Sequence, residues 1–171
     1  DMPVEAILQS RIPMVKITYS PGDDPWMPDH KPAYYVPTMQ EITGVEPNGY
    51  NVLSTFSGCG GSCLGFRMQG FRTLWASEFI ASARETYEAN HPGIPVDGRD
   101  IREVDPLAIL SDLGLEPGQI DVLEGSPPCA AFSSAGKREK GWNEVKPYSE
   151  TEQRVDDLFF QFARFLQAIQ P

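Results

Sequence analysis

Tyr50-Asn51-Val52-Leu53-Ser54-Thr55-Phe56-Ser57-Gly58-Cys59-Gly60-Gly61 is the stretch on which the fold turns. Its run through Phe56 is rich in strand formers and ends in a glycine cluster, and a helix is expected from near Ser62. Gly58, Gly60 and Gly61 let the backbone reverse sharply and admit a ligand without Cβ interference, although a plain tight turn would use the same residues. The alternation repeats downstream. Phe71 to Ser77 reads as a second strand, and Ile80 to Asn90 as a helix stopped by His91-Pro92-Gly93. Ile94-Pro95-Val96 gives a weak third strand, Pro106 to Leu113 a short helix closed by Gly114, and Gln119 to Glu124 a fourth strand. Leu158, Phe159, Phe162, Phe165, Leu166 and Ile169 recur at helical spacing and predict an amphipathic helix. Strands alternating with helices in this way predict an α/β fold with a doubly wound parallel sheet.

Two segments break the rhythm. Ser126 to about Ser149 lacks strong periodicity and reads as a long loop, a feature that is usually functional or disordered. Residues 1–49 hold Pro3, Pro13, Pro21, Pro25, Pro28, Pro32, Pro37 and Pro47, which forbid long helices and central strands. An irregular Pro-rich extension is expected there, with Val15 to Tyr19 as one short edge strand and Pro21 to Pro25 as a solvated turn. The expected division is therefore an extension over 1–49 and a folded domain over 50–171.

At 171 residues the chain can bury a real core. No apolar run approaches the roughly 18 residues of a membrane helix, and the N-terminus lacks the layout of a signal peptide. The three cysteines suggest no disulfide framework, so an intracellular home is expected. A net charge of −10 counts against nucleic-acid binding, which normally needs a basic face.

The chemistry concentrates after the fourth strand, in Gly125-Ser126-Pro127-Pro128-Cys129-Ala130-Ala131-Phe132-Ser133. Cys129 stands at the carboxyl end of a strand, where open α/β sheets keep their ligands. Pro127 and Pro128 stiffen the loop before the sulfur, which suits a covalent nucleophile; a buried small hydrophobe is the other reading. Counting from Gly58, the third glycine of the dinucleotide fingerprint falls on Cys63, and no Walker lysine follows. That argues for a ligand without a pyrophosphate. Glu78, at the end of the second strand, is placed to accept hydrogen bonds from ribose hydroxyls. Asp100, in Asp97-Gly98-Arg99-Asp100-Ile101, is placed to accept from an exocyclic amine. Together they describe a nucleoside pocket. Cys59 and Cys63 do not make a metal site, because zinc needs four ligands and His30 and His91 lie in proline-rich turns.

These motifs resemble those of the DNA cytosine-5 methyltransferases. Phe56 to Gly61 is similar to their first motif, Trp75 to Glu78 to the second and Gly98 to Ile101 to the third. Gly125 to Cys129 with Phe132-Ser133 is similar to the fourth, and Asp157 to Pro171 to the fifth. The resemblance covers residues 50–171 and implies the Rossmann-like fold of S-adenosylmethionine-dependent methyltransferases, here incomplete. It implies S-adenosyl-L-methionine as cofactor, held by Phe56, Ser57, Gly58, Cys59, Gly60, Glu78, Phe79, Asp100, Ile101, Pro127 and Leu158. It implies Cys129 as the nucleophile that attacks C6 of a flipped-out cytosine, with Pro128, Ser133, Lys137 and Arg138 at the DNA substrate. Lys137, Arg138 and Lys140 read equally as a solvated charge run, and Trp142 as a loop anchor or an exposed aromatic. Ala130 departs from the pattern, since members usually carry glutamine there.

The family's later motifs and its target-recognition domain have no counterpart here. The chain is therefore expected to be about half an enzyme: a truncated protein, one subunit of a split enzyme, or part of a longer one. The missing half would carry the basic recognition surface that −10 leaves unexplained. Its expected partners are DNA and that C-terminal half or second subunit, with no membrane. A setting in the cytoplasm or nucleoid follows for a bacterial or phage protein, within a restriction-modification system. Two other functions compete: methylation of cytosine in tRNA, which one branch of the family performs, and a non-catalytic module that keeps the fold. On this reading the isolated chain binds cofactor weakly and transfers no methyl group; clear turnover by it alone in a tritiated-methyl assay would overturn that.

Overall fold

β1 (Asn51–Thr55) lies between β2 (Arg72–Ser77) and β4 (Val122–Gly125) and is parallel to both. β3 (Val96–Asp97) pairs parallel with the far edge of β2, so the sheet order is β3-β2-β1-β4. The chain steps outward from β1 to β3 and then crosses back to β4 on the other side, which makes the β1/β4 gap the switch point of a doubly wound sheet. The computed structural model describes residues 36–128, 145–148, 151–153 and 155–171. The Pro-rich stretch through residue 35, its expected strand Val15 to Tyr19, and Cys129 with the residues through 144 lie outside the described residues.

Four helices cover the two faces of the sheet. α2 (Gly61–Met68) and α3 (Ala81–Asn90) supply Cys63 and Tyr87, which pack on Ala76 with Ile94 and Val96 at the margin. α4 (Pro106–Leu113) and α5 (Leu158–Ile169) cover the other face, where Leu53 and Trp75 meet Ile109, Leu110, Phe165 and Ile169. Trp75 and Ala76 are sequence neighbours in different clusters because successive strand residues point to opposite faces. Trp75 stacks on Phe165 with ring centroids 6.1 Å apart. At the amino ends, Asn51 and Asp121 clasp each other. The Asn51 N–H donates to Asp121 Oδ2 at 2.8 Å, and the Asp121 N–H returns the bond to Asn51 Oδ1 at 3.1 Å.

The expected doubly wound sheet is present, and its boundaries move by a few residues. The third strand is Val96–Asp97 rather than residues 94–96, because Pro95 has no N–H and serves only as an acceptor, for the Ala76 N–H at 3.0 Å. The fourth begins at Val122, since Gln119 to Asp121 are occupied in the side-chain clasp to Asn51. Three of the described elements went unread. α1 (Met39–Thr43) forms inside the expected irregular extension, where Thr38 and Glu41 make a reciprocal capping box between Pro37 and Pro47. β5 (Lys146–Tyr148) and β6 (Thr151–Gln153) form an antiparallel hairpin in and just beyond the expected long loop. Strands so short leave no alternation to detect.

Gly125 ends β4 opposite Thr55 and under α5. A Cβ there would overlap the Thr55 hydroxyl and approach the Phe162 ring to 2.8 Å, so the close approach of strand and helix depends on the missing side chain. Gly125→Ala should lower the unfolding free energy by about 1–3 kcal/mol, the usual cost of overpacking, read as a lower urea midpoint with an unchanged slope.

Candidate active site

The carboxyl ends of β1 to β4 surround one cleft of about 590 Å³. Its floor comes from the loop after β1, where Phe56, Gly58 and Cys59 line it. Phe56 adopts φ 52°, uncommon for so large a side chain, and turns the chain out of the sheet. Gly60, at φ 87°, closes the loop against α3. Its carbonyl lies 3.0 Å from Nε2 of the buried His91, and a Cβ would overlap that imidazole and come within 2.9 Å of Tyr87. Burial holds His91 below the ordinary histidine range, with Arg67 pushing the same way against the Gly60 carbonyl. His91, read from sequence only as a helix stop, is thus the prop behind the glycine loop.

Glu78 ties this loop to the next strand. Its Oε2 accepts the Gly58 N–H at 2.8 Å and its Oε1 the Ile80 N–H at 2.7 Å. A carboxylate oxygen has two lone pairs, so each keeps acceptor capacity toward the cleft that Glu78 lines. Phe79 and Ile80 add apolar wall beside it.

The opposite wall is built from the turn after β3. Asp100 and Ile101 line the cleft. Asp100 accepts the Arg102 N–H at 3.0 Å and its Nη1 at 2.8 Å, while Arg102 Nη2 reaches Asp157 at 2.5 Å. Arg164 Nη2 donates to the carbonyls of Ile101 at 2.6 Å and Val104 at 3.0 Å. Two arginines therefore pin this turn to α5 and bring Ile101 and Leu158 into one cleft. Neither was singled out from the sequence, because a contact across 55 to 63 positions has no local signature.

Ser126 and Pro128 close the fourth side. Of the expected site residues, Phe56, Gly58, Cys59, Glu78, Phe79, Asp100, Ile101, Pro128 and Leu158 line the cleft. Ser57, Gly60 and Pro127 do not. Ser57 is buried behind the loop, its N–H bonded to the Ser77 carbonyl at 2.9 Å. Cys129, Ser133, Lys137 and Arg138 lie outside the described residues, as do Lys140 and Trp142. Cys59 is exposed and Cys63 buried in the core, so the two thiols sit in different environments. Among the described residues no cluster of three or more His, Cys, Asp or Glu could hold a metal ion.

The cleft thus offers two carboxylates with acceptor capacity, a glycine backbone open to close approach and an apolar strip. That combination suits a nucleoside. In comparison with known proteins, the family model for C-5 cytosine-specific DNA methylase matches residues 50–171. The chain belongs to that family. It is 44% identical over 86 residues to the Type II methyltransferase M.AgeI of Thalassovita gelatinovora, covering 50% of this chain and 20% of the relative. It is 33% identical over 133 residues to the Type II methyltransferase M.NgoPII of Neisseria gonorrhoeae, covering 78% and 34%. Among solved structures it resembles a protein described as a DNA modification methyltransferase encoded within a prophage of E. coli, with a TM-score of 0.53 and 25% identity over 72% of this chain and 30% of that one. The chain spans about a fifth to a third of the length of these relatives. The fold of this family is that of enzymes that generally use S-adenosylmethionine. Among its described residues no helix is long and apolar enough to cross a membrane.

A further carboxylate stands outside the cleft. Glu124, half-buried on β4, accepts from Ser54 Oγ at 3.0 Å. Burial raises its pKa, with the Ser54 and Ser62 hydroxyls pulling the other way. A folded pKa above the unfolded one means that the native state holds the proton longer. Stability is therefore lost as pH rises from the ordinary carboxylate range through the raised value, and is flat beyond it. Glu124→Gln should abolish that component, so its melting temperature should gain on wild type across that window and run parallel above it. Parallel curves throughout would contradict the shift.

Proposed function

We propose that this chain carries the cofactor site and the nucleophile of a DNA cytosine-5 methyltransferase. The observation that supports it best is convergence: the glycine loop, Glu78, Asp100 and the Pro-Pro segment that leads to Cys129 open on the same cleft. The donor and acceptor set fits S-adenosyl-L-methionine. Glu78 takes the ribose hydroxyls on its spare lone pairs, Asp100 accepts from the adenine amine, and Phe56, Phe79, Ile101 and Leu158 supply apolar contact. The Gly58–Cys59 backbone, which lines the cleft, holds the methionine end. When bound, the cofactor supplies an electrophilic methyl group on a sulfonium.

Cys129 does the covalent work. Its thiolate attacks C6 of a cytosine that has left the base stack, since neither C6 nor C5 is reachable inside a duplex. The new S–C6 bond pushes electron density to C5, which becomes nucleophilic enough to be methylated. Loss of the C5 proton and expulsion of the thiolate restore the aromatic ring. Pro128, Ser133, Lys137 and Arg138 meet the DNA. The target-recognition surface belongs to a further part of the protein or to a second subunit, which reconciles DNA as the substrate with a net charge of −10. Like the Type II methyltransferases it resembles, the whole protein serves modification in a restriction-modification pair.

Trapping tests this. The chain, with and without the rest of its gene product, is mixed with S-adenosylmethionine and duplex DNA containing 5-fluorocytosine. A covalent adduct is expected only when the remainder is present, and Cys129→Ala should abolish it. Glu78→Gln and Asp100→Asn should each weaken cofactor binding by about tenfold, the size of a lost hydrogen bond to a charged acceptor. An adduct on 5-fluorocytosine RNA but not DNA would move the substrate to RNA, and none with either would defeat the reading.

A further inference from the structure

Behind the glycine loop runs a directed line of hydrogen bonds that the proposed chemistry does not use. Ser57 Oγ lies 2.7 Å from Ser54 Oγ and also donates to the Ser54 carbonyl at 3.1 Å. Ser54 Oγ donates to Glu124 Oε1 at 3.0 Å. A hydroxyl has one proton, so with Ser54 giving its own to the carboxylate, Ser57 shares its proton between Ser54 Oγ and the Ser54 carbonyl. Ser54 and Glu124 are direct partners in the β1/β4 register, so their side chains share the sheet face covered by α2. The Ser62 hydroxyl, in the first turn of α2, favours the charged form of the same carboxylate. That places a negative group near the positive end of the helix dipole. The Thr55 hydroxyl adds a bond to the Glu124 carbonyl at 3.2 Å.

Both ends of this line lead to the cleft. Ser57 precedes Gly58, which lines the cleft and whose N–H is held by Glu78. Glu124 precedes Gly125 and Ser126, and Ser126 and Pro128 line the opposite side. Glu124 itself does not touch the cleft. We propose that Glu124 is a positioning residue: through Ser54 and Ser57 it fixes the glycine loop against the strand that delivers the Pro-Pro-Cys segment, so that the cofactor wall and the nucleophile wall keep one spacing. The role rests on the methyltransferase reading. A carboxylate is suited to it because it accepts the Ser54 proton across the β1/β4 pair, which an apolar side chain cannot do.

The test uses the complete gene product with Ser54→Ala, Glu124→Leu, the double variant and Glu124→Gln. Glutamine keeps one carbonyl oxygen for Ser54, whereas leucine fills the space without an acceptor. Cofactor affinity by calorimetry and the rate of 5-fluorocytosine adduct formation are read well below each variant's melting temperature. Ser54→Ala and Glu124→Leu should each weaken cofactor binding about tenfold and slow adduct formation, with the double variant no worse than either single. Glu124→Gln should stay within about twofold of wild type, the size of a rearranged rather than lost hydrogen bond. Amide hydrogen exchange over residues 56–60, measured without cofactor, should rise in the first two variants and not in Glu124→Gln. Wild-type binding and exchange in Glu124→Leu, or single effects that add, would overturn the proposal. A wild type that neither binds cofactor nor forms the adduct counts against the methyltransferase reading itself, and the exchange comparison still decides whether Glu124 holds the loop.

Discussion

The structure depends on β1 being paired on both edges. Val52 to Thr55 are in register with Val122 to Gly125 on one side, while Asn51 to Ser54 pair with residues of β2 on the other. Parallel pairing brings all carboxyl ends to one side of the sheet, so the loops that leave β1, β2 and β4 must converge. A shift of one residue between β1 and β4 would turn Glu124 away from Ser54 and carry Leu123 out of the core. The Asn51–Asp121 clasp at the amino ends guards against that slip. Glycine at position 125 is the steric consequence of the same pairing, since Thr55 and Phe162 leave no room for a Cβ.

Given that register, the cleft is assembled by bonds between loops rather than within them. Glu78 joins the glycine loop to the end of β2, and Arg102 and Arg164 join the Asp100–Val104 turn to α5. His91 backs Gly60 from α3. The Glu78, Arg164 and His91 ties pair a charged or ring side chain with backbone groups that would otherwise be stranded at the end of an element. Arg102 instead pairs with the Asp157 carboxylate. Such a cleft is fixed before a ligand enters, which spares the ordering cost of binding and suits a site whose walls must stay at a set spacing.

The same arrangement reconciles an acidic chain with a DNA-directed family. Among the described residues Glu78 and Asp100 turn their carboxylates to the cleft rather than to an open face. The chain spans only part of its relatives' length, so it need not carry their whole charge balance.

Much of this was legible without coordinates. The strand-to-glycine transition at 50–61, the helix stop at His91-Pro92-Gly93 and the apolar spacing of 158–169 are local signals, governed by backbone sterics and periodicity within a few residues. They determined the doubly wound fold, and the motif residues pointed to the family. α1 announced itself too, through Thr38 and Glu41 at capping-box spacing, but a run of prolines on either side masked it. What the sequence could not determine was which polar side chains meet. Arg102 with Asp157, Arg164 with the Ile101 carbonyl and Ser54 with Glu124 are separated by 55, 63 and 70 positions. Only the register of the sheet and the seating of α5 bring them together. A hydrogen bond acts over about 3 Å in space and carries no trace of that distance in the order of the chain.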